Sequence, residues 1–118
     1  MGYIKLEEIE IYAYHGCFAE EQIAGNWFQV NLTMETDMTI ASQTDEITDA
    51  LNYQTASEII RQQMAIKSHL LENVGKRILD ALFVKFPQLL FAEISVSKMN
   101  PPVGGKMKCV TVVISQKR

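Results

Sequence analysis

Between Trp27 and Met38 apolar and polar positions alternate. Phe28, Val30, Leu32 and Met34 fall on one parity; Gln29, Asn31, Thr33 and Glu35 fall on the other. That two-residue period predicts a strand with one buried and one wetted face. Tyr3 to Tyr14 alternates as well, through Ile4 and Leu6 and then Ile9 and Ile11. The phase slips at Glu7-Glu8, where a bulge is expected. His15-Gly16 ends this strand, and the polar stretch AEEQIAGN before Trp27 reads as a loop or a single helical turn. The two strands make a long hairpin.

The period then changes. Thr39 to Leu51 is mixed and reads as a connection with short turns. Asn52 is a suitable N-cap for a helix from Tyr53 to about Ile66, with Ala56, Ile59, Ile60 and Met64 as its apolar stripe. Lys67-Ser68 interrupts, and a second helix from about Leu70 to Phe86 carries Leu71, Val74, Ile78, Leu82 and Phe86 at three- and four-residue steps. Pro87 stops it. Phe91 to Lys98 alternates with Ala92, Ile94, Val96 and Lys98 on one face, and Met107 to Ser115 with Val110, Val112 and Ile114. Between them Asn100-Pro101-Pro102-Val103-Gly104-Gly105 predicts a rigid turn followed by a flexible one. The order strand, strand, helix, helix, strand, strand predicts an α+β domain over residues 1–118: two helices on one face of a four-stranded antiparallel sheet. Such a sheet has two open edges, so subunits are expected to join edge to edge in a ring that closes a larger barrel.

Composition narrows the function classes. Of 118 residues, 47% are hydrophobic and 21% charged, the balance of a folded domain. A net charge of -3 is too mild to suggest a nucleic-acid or anionic-membrane partner. No apolar run has the length of a signal peptide or a bilayer span, so a cytoplasmic protein is expected. Cys17 and Cys109 are far apart and read as free thiols. His15 and His69 form no CxxC, HxH or HExxH pattern, which speaks against a dedicated zinc site.

Several residues carry candidate chemistry, each with a plainer reading beside it. Lys98 shares the parity of Ile94 and Val96. A lysine there either snorkels from a wet strand end or is held on an apolar face for proton transfer, since burial favours the neutral amine. The Asn-Pro-Pro turn behind it would fix its direction. Glu72 in the first turn of the second helix either complements the helix dipole or accepts two hydrogen bonds from an amidine-like ring edge. Free backbone N–H groups of that turn would hold a ring carbonyl. Tyr53 is a packing residue or a proton relay. Glu20 and Glu21 form a solvated loop face, unless one holds a water or hydroxyl. His15, before a glycine at a strand end, reads as structural, satisfied by backbone. Cys17 has no activating neighbour in sequence.

No single signal is specific, but their order is. Tyr14-His15-Gly16, an acidic loop with Gly25, Asp49-Ala50-Leu51-Asn52-Tyr53, Leu70-Leu71-Glu72 and Lys98-Met99-Asn100-Pro101-Pro102 together resemble the dihydroneopterin aldolases of folate biosynthesis, over Ile4 to Ser115. The resemblance implies the tunnelling fold and an octamer of two four-membered rings with sites between subunits. It implies Lys98, Tyr53 and Glu21 as catalytic residues, Glu21 in preference to its neighbour Glu20. It implies Glu72, Leu71, Tyr53 and Glu21 as the substrate-binding set, and neither metal nor cofactor. The reaction implied is a retro-aldol cleavage of dihydroneopterin to 6-hydroxymethyl-7,8-dihydropterin and glycolaldehyde. Three other readings stand beside it. The DALNY segment also resembles dihydroneopterin triphosphate epimerases, although Tyr14-His15-Gly16 and the Asn-Pro-Pro turn favour the aldolase. A ring-forming pterin binder would not need Lys98. A metal-dependent pterin enzyme of similar fold would need His or Cys ligands that this chain lacks.

Overall fold

The computed structural model describes residues 1–101 and 104–118. The chain runs β1 (Gly2–Ala13), α1 (Ala19–Ala24), β2 (Asn26–Thr36), α2 (Thr39–Thr44), a 3-10 turn (Ile47–Asp49), α3 (Tyr53–Met64), α4 (Leu71–Lys85), β3 (Phe91–Met99) and β4 (Cys109–Lys117). The four strands pair in the order β1-β2-β3-β4, all antiparallel. The predicted four-stranded α+β architecture is present. It also carries two helices of six residues: α1 in the stretch read as a loop or a single helical turn, and α2 in the stretch read as a connection with short turns.

Neither short helix has a buried residue, so neither leaves an apolar stripe in the sequence. α2 is set by its ends instead. The Asp37 carboxylate accepts from Thr39 N–H at 2.9 Å, and Asp45 closes the helix in the left-handed region at φ 59. That turn also ends β2 at Thr36 rather than Met38. The bulge lies where the phase slip put it: β1–β2 register shifts between Leu6 and Ile9. Glu8 there has φ 56, and its N–H is taken by Asn31 Oδ1 at 2.7 Å.

The buried parity of β2 and β3 meets the helices. Phe28, Val30, Leu32, Met34, Ala92, Ile94 and Val96 are buried, with Ala56, Ile60 and Met64 of α3 and Val74, Ile78, Leu79 and Leu82 of α4 in the same core. Ile59 is only partly buried. α3 packs over β1, and α4 over β3 and β4. Asn52 caps α3 as expected, its Oδ1 accepting from the N–H groups of Gln54 and Thr55. α3 stops at Met64; α4 stops at Lys85, because Phe86 before Pro87 turns extended. β4 occupies Cys109–Lys117 rather than Met107–Ser115, since Asn100 N–H bonds Lys108 O to close the turn. Of its predicted buried face, Val112 and Ile114 are partly covered while Val110 is exposed. The proline-pair turn falls partly outside the described residues, at Pro102 and Val103. Asn100 on its near side takes φ 49.

Candidate functional site

Lys98 is placed by strand register. β3 sets it between Phe28 of β2 and Val110 of β4, on the parity of the fully buried Val96. Its side chain is 13% exposed and its Nζ donates to Glu21 Oε2 at 2.6 Å; the Glu21 side chain is 15% exposed. An ammonium so nearly enclosed requires a partner. Of the two loop glutamates, Glu21 meets Lys98 and Glu20 is exposed. The other oxygen of Glu21 accepts from Phe18 N–H at 3.3 Å, which fastens the carboxylate to the start of α1. Gly16 leaves room for this arrangement: a Cβ there would stand 2.5 Å from the Glu21 carboxyl carbon.

The pair opens into a cleft of ≈ 330 Å³. The first turn of α4 also lines that cleft, with Leu71 and Glu72. The N-cap of α4 is Leu70, which has no side-chain acceptor. Among the described residues the N–H groups of Leu71 and Glu72 therefore have no protein partner. The cleft presents a nearly enclosed amine with its carboxylate, and free helix N–H donors beside a second carboxylate. Phe18, Leu70 and Val112 add apolar lining. This can hold a flat heterocycle by its polar edge and bring its substituent to Lys98.

Of the sequence-predicted set, Lys98, Glu21, Glu72 and Leu71 come together. Tyr53 does not. It opens α3, is 63% exposed and is not among the residues that line the cleft.

His15 is buried, 1% exposed, with its ring edge-on to Phe28 at 5.3 Å. Its Nδ1 accepts from Ser68 N–H at 3.0 Å, so the backbone does satisfy one ring nitrogen. Nε2, which then carries the proton, has no hydrogen-bond partner among the described residues. Burial, and next the positive charge of Arg77, push the imidazole down to about 4; Lys98 adds to this and the Met64 carbonyl opposes it. Neutral at physiological pH, His15 is a structural post rather than a base.

Other residues of the site had no sequence signal. Cys17 lines the cleft, its thiol donating to the His69 carbonyl at 3.4 Å. His69 lines it too, and Gln22 reaches both the Gly16 carbonyl and the His69 ring. These contacts span up to 52 positions, and no local pattern announces them. Among the described residues no three His, Cys, Asp or Glu side chains are grouped to hold a metal, and no helix is long and apolar enough to cross a membrane.

A family model described as dihydroneopterin aldolase matches residues 4–115. A dihydroneopterin aldolase of Streptococcus pyogenes is 34% identical over 119 residues, covering all of both chains. That of Bacillus subtilis is 32% identical, covering all of this chain and 99% of the relative. The crystal structure of Escherichia coli dihydroneopterin aldolase, in complex with neopterin, superposes with a TM-score of 0.91 at 20% identity, over 98% of this chain and 99% of that one. This last likeness shows the fold, the two-layer arrangement expected for a tunnelling-fold subunit. The chain belongs to the dihydroneopterin aldolase family.

Proposed function

We propose that the protein cleaves 7,8-dihydroneopterin by a retro-aldol reaction, in the cytoplasm and without a metal, and that Lys98 moves the protons. One observation carries this reading: the Lys98–Glu21 pair, at 2.6 Å, faces the same cleft as the free first turn of α4. Glu72 accepts from the N–H and amino group on one edge of the pterin head, and Leu71 N–H donates to its carbonyl. The side chain then extends toward Lys98. The amine, having passed one proton to the Glu21 carboxylate, takes up the 2′-hydroxyl proton through an ordered water. The bond between the 1′ and 2′ carbons breaks, its electron pair moves into the ring C=N, and glycolaldehyde leaves. The resulting enamine takes a proton back from Lys98, giving 6-hydroxymethyl-7,8-dihydropterin. Glu21 holds the amine and the water in line. Reversal before the aldehyde escapes rebuilds either configuration at the 2′ carbon, so a 2′-epimerase side activity accompanies cleavage.

Tyr53 belongs to this machinery only if a second copy supplies it. Its exposure, its absence from the lining of its own chain's cleft and the unpaired edges of β1 and β4 support a ring, and we extend this to an octamer of two stacked rings. The neopterin named in the Escherichia coli structure supports the choice of substrate class.

The test is incubation with 7,8-dihydroneopterin, with and without chelator, while glycolaldehyde release is followed. Wild-type protein releases it in both. Lys98→Ala binds neopterin with an affinity near wild type and loses turnover by at least about a hundredfold. Wild-type protein that binds neopterin without releasing glycolaldehyde would be a non-catalytic binder.

A further inference from the structure

Glu21 rides on α1, a six-residue helix with no buried residue. Such a helix has no hydrophobic anchor, and its place is set by polar ties. Its C-terminal end is held by Tyr12 Oη donating to Ala24 O at 2.6 Å. Apart from the Lys98 contact and the N–H of Phe18 at the helix's own N-cap, the tie nearest Glu21 comes from the next residue, Gln22. Gln22 Nε2 lies 2.9 Å from Gly16 O and 3.1 Å from His69 Nδ1. The Gly16 carbonyl can only accept, which fixes the amide: the atom facing it is the NH₂ group. The second hydrogen of that group points to His69 Nδ1, so Nδ1 is the acceptor and the imidazole proton sits on Nε2. His69 is two residues before Leu71, on the loop that leads into the ring-holding turn of α4. The Cys17 thiol bonds the His69 carbonyl, and Gly16 N–H bonds Ser68 O at 3.0 Å, in the same seam.

We infer that Gln22 and His69 form a clasp of positioning residues that holds the proton-transfer end of the cleft at a fixed distance from the end that holds the ring. The inference rests on the cleavage reading above. Both ends must be in place at once for the breaking bond to reach Lys98, whereas holding the ring needs only α4. Loosening the clasp therefore costs turnover and spares ring binding.

The experiment measures kcat for glycolaldehyde release and Kd for neopterin in Gln22→Met, His69→Ala, His69→Asn and the Gln22→Met/His69→Ala pair, with thermal melts to show that each is folded. Methionine keeps the length of Gln22 and removes both donors; asparagine returns an acceptor where Nδ1 stood. Gln22→Met is expected to lower kcat at least about tenfold with Kd changed less than about twofold. The double variant should lose no more than the worse single one, and His69→Asn should recover most of what His69→Ala loses. Unchanged kcat in Gln22→Met, kcat and Kd worsening together, additive losses, or no recovery in His69→Asn would each overturn the clasp. A wild-type protein without glycolaldehyde release would overturn the cleavage reading and this inference with it; active wild type with unaffected variants overturns the clasp alone.

Discussion

At the scale of single residues, the site pairs a nearly enclosed amine with a carboxylate, and beside them His15 is buried without its charge. Its imidazole is held near 4, against an ordinary value of 6.5, by burial and by the cations Arg77 and Lys98. Below pH 6.5 the unfolded chain binds a proton that the folded one refuses until about pH 4. Stability from this group is thus fully present above 6.5 and is lost as pH falls through that window, by at most about 3 kcal/mol. His15→Asn keeps an acceptor for Ser68 N–H and removes the titration. Urea unfolding at pH 7 and at pH 4.5 should show a smaller drop in the variant than in the wild type. Equal drops would mean that His15 does not titrate as described. The sequence showed part of this. Strand parity placed Lys98 on the covered face, and His15 before Gly16 read as structural. Which glutamate meets Lys98 depends on where α1 packs and on the space left by Gly16, and that is set in three dimensions.

At the scale of elements, what reads well in the sequence is whatever buries a periodic face. β2, α3 and α4 do so, and their stripes were visible. α1 and α2 bury nothing and were not. Strand ends moved by about two residues because pairing partners and turn closures decide them, as at Asn100 and Lys108. The joint between α3 and α4 was also illegible, since it hangs on one side chain. Arg77 donates to Gln63 O, Gln63 Oε1, Ile66 O and Ser68 Oγ at 2.7 to 2.9 Å. Its guanidinium thereby satisfies carbonyls at the C-terminal end of α3 and steadies Ser68, whose N–H holds His15. Arg77→Met should cost on the order of 3 kcal/mol, since several acceptors lose a charged donor at once. Arg77→Lys should recover only a fraction, because a single ammonium cannot reproduce the planar fork. Denaturant midpoints at fixed pH decide this, and full recovery by lysine would show that charge alone mattered.

At the scale of the whole molecule, the cleft has an incomplete set of the residues expected to work in it. Lys98, Glu21, Leu71 and Glu72 line it, while Tyr53 stands exposed at the start of α3. The proposed ring reconciles these positions by letting one copy lend Tyr53 to the next, and it makes a prediction that no single-chain site shares. Lys98→Ala and Tyr53→Ala are each expected to be nearly inactive. When the two are co-expressed in equal amounts and assemble at random, half the subunits carry an intact Lys98 and half the neighbours an intact Tyr53. About one shared site in four then holds both, so the mixture should regain roughly a quarter of wild-type glycolaldehyde release. A site contained in one chain always lacks one of the two residues, however the subunits mix. Activity in the co-expressed sample no higher than in the separate variants would therefore confine the site to a single subunit and remove Tyr53 from the neighbour's cleft.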